Sequence, residues 1–192
     1  MAASIPGRAE AYALLTEFNK SENLLKHGLT VEAVMRHFAV LQGEDPEKWG
    51  VIGLIHDLDY EQFPDRHCIK TGEILTSRGW PEDYIRAVVS HGWGLCSDVE
   101  PLEVMEKILF TIDELTGLIT AVVYVRPSKS ILDLEVKSVK KKWKEKSFAA
   151  GANREVILKG CGMLGMDLDD VIRETIEGMK KAAAELGLKG TG

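Results

Sequence analysis

Four of the five histidines, His27, His56, His67 and His91, stand where a helix face or a loop border could turn an imidazole inward. In a helix expected over 24–42, at about 100° per residue, His27 falls within roughly 40° of Val31, Val34, Phe38 and Leu41, on the face that should be buried. His37 lies about 80° off that line and is the poorer candidate for an inward ligand. His56 shares a stripe with Trp49, Ile52 and Gly53, and Asp57 follows where that helix ends. A neighbouring imidazole and carboxylate can converge on a cation, since both are good ligands for first-row divalent metals. Asp113 sits between Ile108-Leu109-Phe110 and Leu118-Ile119. A carboxylate buried there is costly unless a metal, or a salt bridge to a neighbouring helix, compensates it. Glu114, about 100° around the axis, is expected to be solvated. His67 and His91 border the two longest irregular stretches, 57–66 and 92–99, a placement that suits a second metal with open coordination positions. Each histidine taken alone is more often a satisfied core residue; their joint placement favours ligands.

Helical periodicity dominates the chain, and runs with strand-like alternation are almost absent. The spacing predicts an all-α, single-domain bundle with helices near 8–19, 24–42, 46–56, 68–78, 81–91, 101–125, 131–146, 153–164 and 168–187. Asp45-Pro46, Trp80-Pro81 and Glu100-Pro101 each place a proline at an expected first helical position, where its missing N–H costs nothing. Ser130 with Asp133, and Asp167 with Asp170, resemble capping boxes with a shortened acid. No linker, repeat or low-complexity tract divides the 192 residues, which are enough for one hydrophobic core. The C-terminal stripe Val171, Ile172, Thr175, Ile176, Met179, Ala183 and Leu186 reads as core or as a dimer face.

The ordered set His27…His56-Asp57…Asp113, carried by His27-Gly28-Leu29-Thr30-Val31, Gly53-Leu54-Ile55-His56-Asp57-Leu58 and Asp113-Glu114-Leu115, resembles the HD-domain superfamily of helical, metal-dependent phosphohydrolases. His67, in His67-Cys68-Ile69-Lys70, and His91, in Val89-Ser90-His91-Gly92, resemble the extra histidines of its two-metal members. The resemblance covers roughly 20–125, and 126–192 resembles the tail of a subgroup of small bacterial HD-domain proteins. The loop from Asp57 to His67 is shorter than in many two-metal members. What the resemblance implies is two divalent ions, with Mn, Fe, Co or Ni as suitable as Mg given the imidazoles. Asp57 would bridge them as the catalytic carboxylate, His27, His56 and Asp113 would hold one, and His67 and His91 the other. A water acidified between the ions would attack a small phosphorylated metabolite or nucleotide.

A phosphate substrate also needs positive charge. Arg126 and Lys129 follow the Asp113 helix and precede a helix start, where anions bind well, so they are the expected substrate contacts. The six lysines of 137–146 are more often a solvated face. Two other readings stay open: a diiron oxygenase of the myo-inositol-oxygenase-like type, and a non-catalytic helical sensor or scaffold. With a net charge of −6, general nucleic-acid binding is not expected. The N-terminal stretch from Met1 to Gly7 has no leader pattern, and the apolar run 115–125 is too short to cross a bilayer, so a cytoplasmic location without membrane contact is the expectation. Cys68, Cys96 and Cys161 are odd in number and contain no CxxC pair, which fits reduced thiols.

Overall fold

The computed structural model describes residues 6–190; residues 1–5, part of the stretch read for a leader, lie outside the described residues. Among the described residues the fold is all-α. Its helices are α1 (Arg8–Phe18), α2 (Glu22–Gln42), α3 (Pro46–Ile55), α4 (Ile69–Ser77), α5 (Glu82–Ser90), α6 (Val104–Val125), α7 (Val136–Trp143), α8 (Arg154–Leu164) and α9 (Leu168–Lys181), with a 3-10 turn at Pro64–Arg66.

α6 is the axis of the bundle. It packs against α2, α5, α7, α8 and α9, and Ile108, Leu109, Ile112, Leu115, Leu118 and Ile119 on it have no exposed surface. By length and composition it could pass for a membrane span, with a mean hydropathy of 1.7. Yet 61% of that window is buried inside the chain, as expected for the central helix of a core. Burying an aliphatic side chain of this size contributes about 1.5–3 kcal/mol, so this one helix anchors much of the fold.

α2 and α3 share the most extensive helix contact, and the reason lies beside the first histidine. A Cβ on Gly28 would stand 2.9 Å from the Leu54 carbonyl oxygen. Only glycine lets the two backbones approach so closely, which draws His27 toward the C-terminal end of α3, where His56 sits. α9 lies on the other side of α2, and Val171, Ile172, Thr175, Ile176 and Met179 are buried there. That stripe is core within the chain.

Several helix ends differ from expectation. Pro46 is the first residue of α3, and the Asp45 carboxylate accepts the Glu47 N–H at 2.9 Å. Pro81 instead stands just before α5. Pro101 lies three residues ahead of α6, because the Glu106 carboxylate takes the N–H groups of Leu102 (2.7 Å) and Glu103 (3.1 Å) and starts the helix there. The helix expected from 131 begins at Val136. Asp133 does not cap it: its carboxylate is held by Arg126 and Ser128. The Ile131 N–H meanwhile donates to Leu188 O at 2.8 Å. The same pairing explains why α9 stops at Lys181, since the following turns fold back to bury Ala183, Leu186 and Leu188.

Candidate metal centre

Six ligand-type side chains from five separate segments meet at one point. His27 comes from α2, His56 from the C-terminal cap of α3, and Asp57 from the turn after it. His67 follows the 3-10 turn, His91 caps α5, and Asp113 lies at the middle of α6. The His27 and His56 Nε2 atoms are 3.2 Å apart, and Asp113 Oδ1 lies 2.9 and 3.3 Å from them. The His67 and His91 Nε2 atoms form a second pair 3.1 Å apart. Asp57 stands between the pairs. Its Oδ2 is 3.6 and 3.5 Å from His27 and His56, and its Oδ1 is 3.4 and 3.5 Å from His67 and His91.

Backbone and carboxylate acceptors fix how three of the rings face. His56 Nδ1–H donates to Gly53 O at 2.8 Å, and His91 Nδ1–H to Val88 O at 2.5 Å. A carbonyl accepts only, so both rings carry their proton on Nδ1 and aim Nε2 at the cluster. His67 is held likewise by Asp59, whose Oδ1 lies 2.6 Å from Nδ1. Facing nitrogen lone pairs near 3 Å repel unless a positive charge sits with them. An ion about 2.1 Å from each nitrogen sets neighbouring ligand atoms about 3.0–3.4 Å apart, the spacing found here. The donor set therefore fits a divalent metal, and the geometry groups His27, His56 and Asp113, then His56, Asp57 and His91, and also His67, Cys68 and His91, as triads able to hold one.

Protons are the competing positive charge. Burial opposes the His91 cation, but the Asp57 hydrogen bond and the Asp113 and Asp57 charges outweigh it and lift its pKa to about 9. His27 moves the same way, against its own burial, through Asp113 and Asp57. His67 does so through Asp59 and Asp57. Burial works against the Asp57 and Asp113 carboxylates, yet the surrounding imidazoles hold both well below the usual range. A consequence can be measured. A histidine that binds its proton more tightly in the folded state contributes stability below its unfolded pKa near 6.5, and loses it as pH rises through the folded value. Chelator-treated protein should lose about 5–10 °C of Tm between pH 6.5 and 9, and saturating divalent metal should remove that slope. Equal slopes in the two samples would contradict an imidazole cluster shared by protons and metal.

A cavity of about 620 Å³ opens over the cluster. His27, Asp57, His67, His91 and Asp113 form its floor, and Tyr60, Pro64, Leu95 and Val156 give it apolar walls. The stretches 57–66 and 92–99 line two sides of it, and the third is the 149–152 turn. The segment after α6 has no part in it. Arg126 and Lys129, the expected substrate contacts, stand elsewhere. Arg126 lies 13 positions beyond Asp113, about 20 Å along the helix axis. Its guanidinium is bound by both Asp133 oxygens (2.8 and 3.0 Å) and by Ser130 O. Lys129 is exposed beside it, and neither residue lines the cavity. Arg154 likewise serves structure, donating to the carbonyls of Trp143, Glu145, Ala152 and Phe148 and so holding the cavity's third wall. His37 is engaged elsewhere, between Glu174 and Lys181 of α9 at 2.8 and 2.7 Å.

Sequence reasoning passed over three features of the site. Asp59 is fully buried, and besides His67 it accepts the Thr71 N–H at 2.8 Å. Its signal was the second acid of His56-Asp57-Leu58-Asp59. Glu114, expected to be solvated, faces the cavity and accepts the Asn153 N–H at 3.0 Å; burial raises its pKa. Cys68 and Cys96 close one side. The Cys96 thiol is drawn down to about 6 by the Cys68 hydrogen bond, against burial, with His67 and His91 assisting. No sequence pattern pairs them.

The fold and the cluster thus define an all-helical protein with a His/Asp centre able to bind metal. No family model, curated protein or solved structure matches this chain.

Proposed function

We propose that this chain is a metal-dependent phosphohydrolase of the HD-domain kind, cleaving a phosphate ester of a small metabolite or nucleotide. The observation that carries the reading is Asp57, whose two oxygens each face a separate pair of imidazoles. That arrangement suits two ions sharing one carboxylate. A pair of divalent ions there would acidify a water and neutralise phosphoryl oxygens. The residues themselves orient and exclude. Nδ1–H donation to Gly53 O and Val88 O keeps the His56 and His91 nitrogens aimed inward. Asp59 does the same for His67. Tyr60, Pro64 and Leu95 shield the floor on one side, and Glu114 offers an acceptor for a hydroxyl or amine of the substrate.

Elemental analysis of the purified protein, then phosphate release from a panel of esters and nucleotides with Mn, Ni, Co and Mg, tests the reading. Turnover should vanish with chelator and return with one of these ions. Bound metal with no ester hydrolysed by any loaded form would sink it.

One observation favours a second reading. Among the described residues no lysine or arginine lines the cavity, and four of the six ligand-type side chains are imidazoles. An uncharged substrate and a pair of irons, as in an oxygenase, suit such a lining. Iron retained on aerobic purification, with substrate-dependent dioxygen uptake and no phosphate release, would select it.

A further inference from the structure

We propose that Cys68 and Cys96 form a modification site, a dithiol that a hydroperoxide-class oxidant closes to a disulfide in the wall of the metal cavity. The two sulfurs are 3.1 Å apart, about 1 Å longer than the bond they would form. Three independent features of the backbone bring them together. Cys68 is one of few non-glycine residues with positive φ, at 67° with ψ −47°, and the Ile69 N–H donates across it to His67 O at 2.9 Å. This three-residue turn is strained, and it holds the thiol inward with no exposed surface. Gly92 leaves the room. A Cβ there would stand 2.3 Å from the Cys96 sulfur and 2.5 Å from that of Cys68, so any larger residue would force the pair apart. Finally, the Gly92 carbonyl accepts the N–H groups of Leu95 (3.0 Å), Cys96 (3.0 Å) and Ser97 (3.1 Å), which curls the loop back and presents Cys96 to its partner.

The two thiols differ in access. Cys96 is partly exposed and lines the cavity, whereas Cys68 is sealed behind it. Cys96 therefore meets the oxidant first. Its sulfur attacks the peroxide, the O–O bond breaks, and the sulfur keeps one oxygen as a sulfenic acid while the other leaves as alcohol or water. Cys68 sulfur then displaces that hydroxyl, which departs as water with the Cys68 proton. Two thiols and one hydroperoxide give one disulfide, one alcohol (water when hydrogen peroxide is used) and one water. The product ties the loop after His91 to the turn that carries His67. It stands whether the cluster hydrolyses esters or activates dioxygen.

The test uses the whole purified chain, reduced, freed of reductant and titrated with hydrogen peroxide. Of three thiols, one should remain, that of Cys161 in α8. The intact mass should fall by two hydrogens and recover with dithiothreitol. Non-reducing trypsin digestion should join the peptides 67–70 and 87–107. Cys96→Ser should leave Cys68 unreacted, because no exposed thiol precedes it. Three surviving thiols, a Cys96 sulfinic acid with Cys68 intact, a bond through Cys161 or between two chains, or equally fast Cys68 oxidation in Cys96→Ser would each overturn the proposal.

Discussion

Asp57→Ala is expected to reduce bound metal per chain by at least half and turnover by at least about a hundredfold, with helical content unchanged. Removing a residue that only orients a ligand already costs about 10–100-fold, and Asp57 touches both imidazole pairs directly, at 3.4–3.6 Å. The fold should survive. Asp57 lies in the turn after α3, and no helix is capped by it. Without the carboxylate, Asp113 beside His27 and His56 and Asp59 behind His67 are left to balance a positive charge among four imidazoles. Metal content by plasma emission, turnover and far-ultraviolet circular dichroism together decide the matter. Wild-type metal and turnover in the variant would rule out the proposed bridging role of Asp57, whereas global unfolding would mean its role was structural.

Asp59→Ala should have the second-largest effect, and it should be one-sided. Asp59 holds His67 through Nδ1 and satisfies the buried Thr71 N–H, with no exposed surface of its own. Its loss frees the His67 ring and leaves a buried donor unpaired. The donor alone costs about 1–3 kcal/mol, so Tm should fall by several degrees. The His67–His91 position should weaken by about 10–100-fold, the usual effect of removing a partner that orients a ligating imidazole. The His27–His56–Asp113 position shares no hydrogen bond with Asp59 and should keep its affinity. Chelator competition resolving two classes of site would show one displaced isotherm and one unmoved. If both classes weakened equally, the two positions would not be separable as drawn. Asp59→Asn gives a graded control, since one amide oxygen can serve His67 or Thr71 but not both.

The all-α class and the order of the helices follow from local rules: apolar spacing near 3.6 residues, prolines that start or precede helices, and residues able to end them. The cluster was partly legible as well. His27 could be put in phase with the buried Val31, Val34 and Phe38, although it is itself half-buried and Leu41 on that line is exposed, and the His56-Asp57 doublet marked a helix end. His37, set off that face by the same phase, is in fact buried, and it stays out of the cluster because Glu174 and Lys181 of α9 hold it.

Whatever depended on contacts between elements was not legible. Arg126 follows the Asp113 helix in sequence, yet a rigid helix carries it about 20 Å away, where Asp133 captures it. Glu114 looked solvated by phase, but the turn before α8 folds over it. The Cys68–Cys96 contact spans 28 positions and depends on an empty side-chain position at Gly92. Sequence by itself determined which residues share a helix face, because that is a property of one periodic backbone. Only the tertiary structure decided which faces, loops and charges meet, because packing joins elements through many weak contacts that no local spacing encodes.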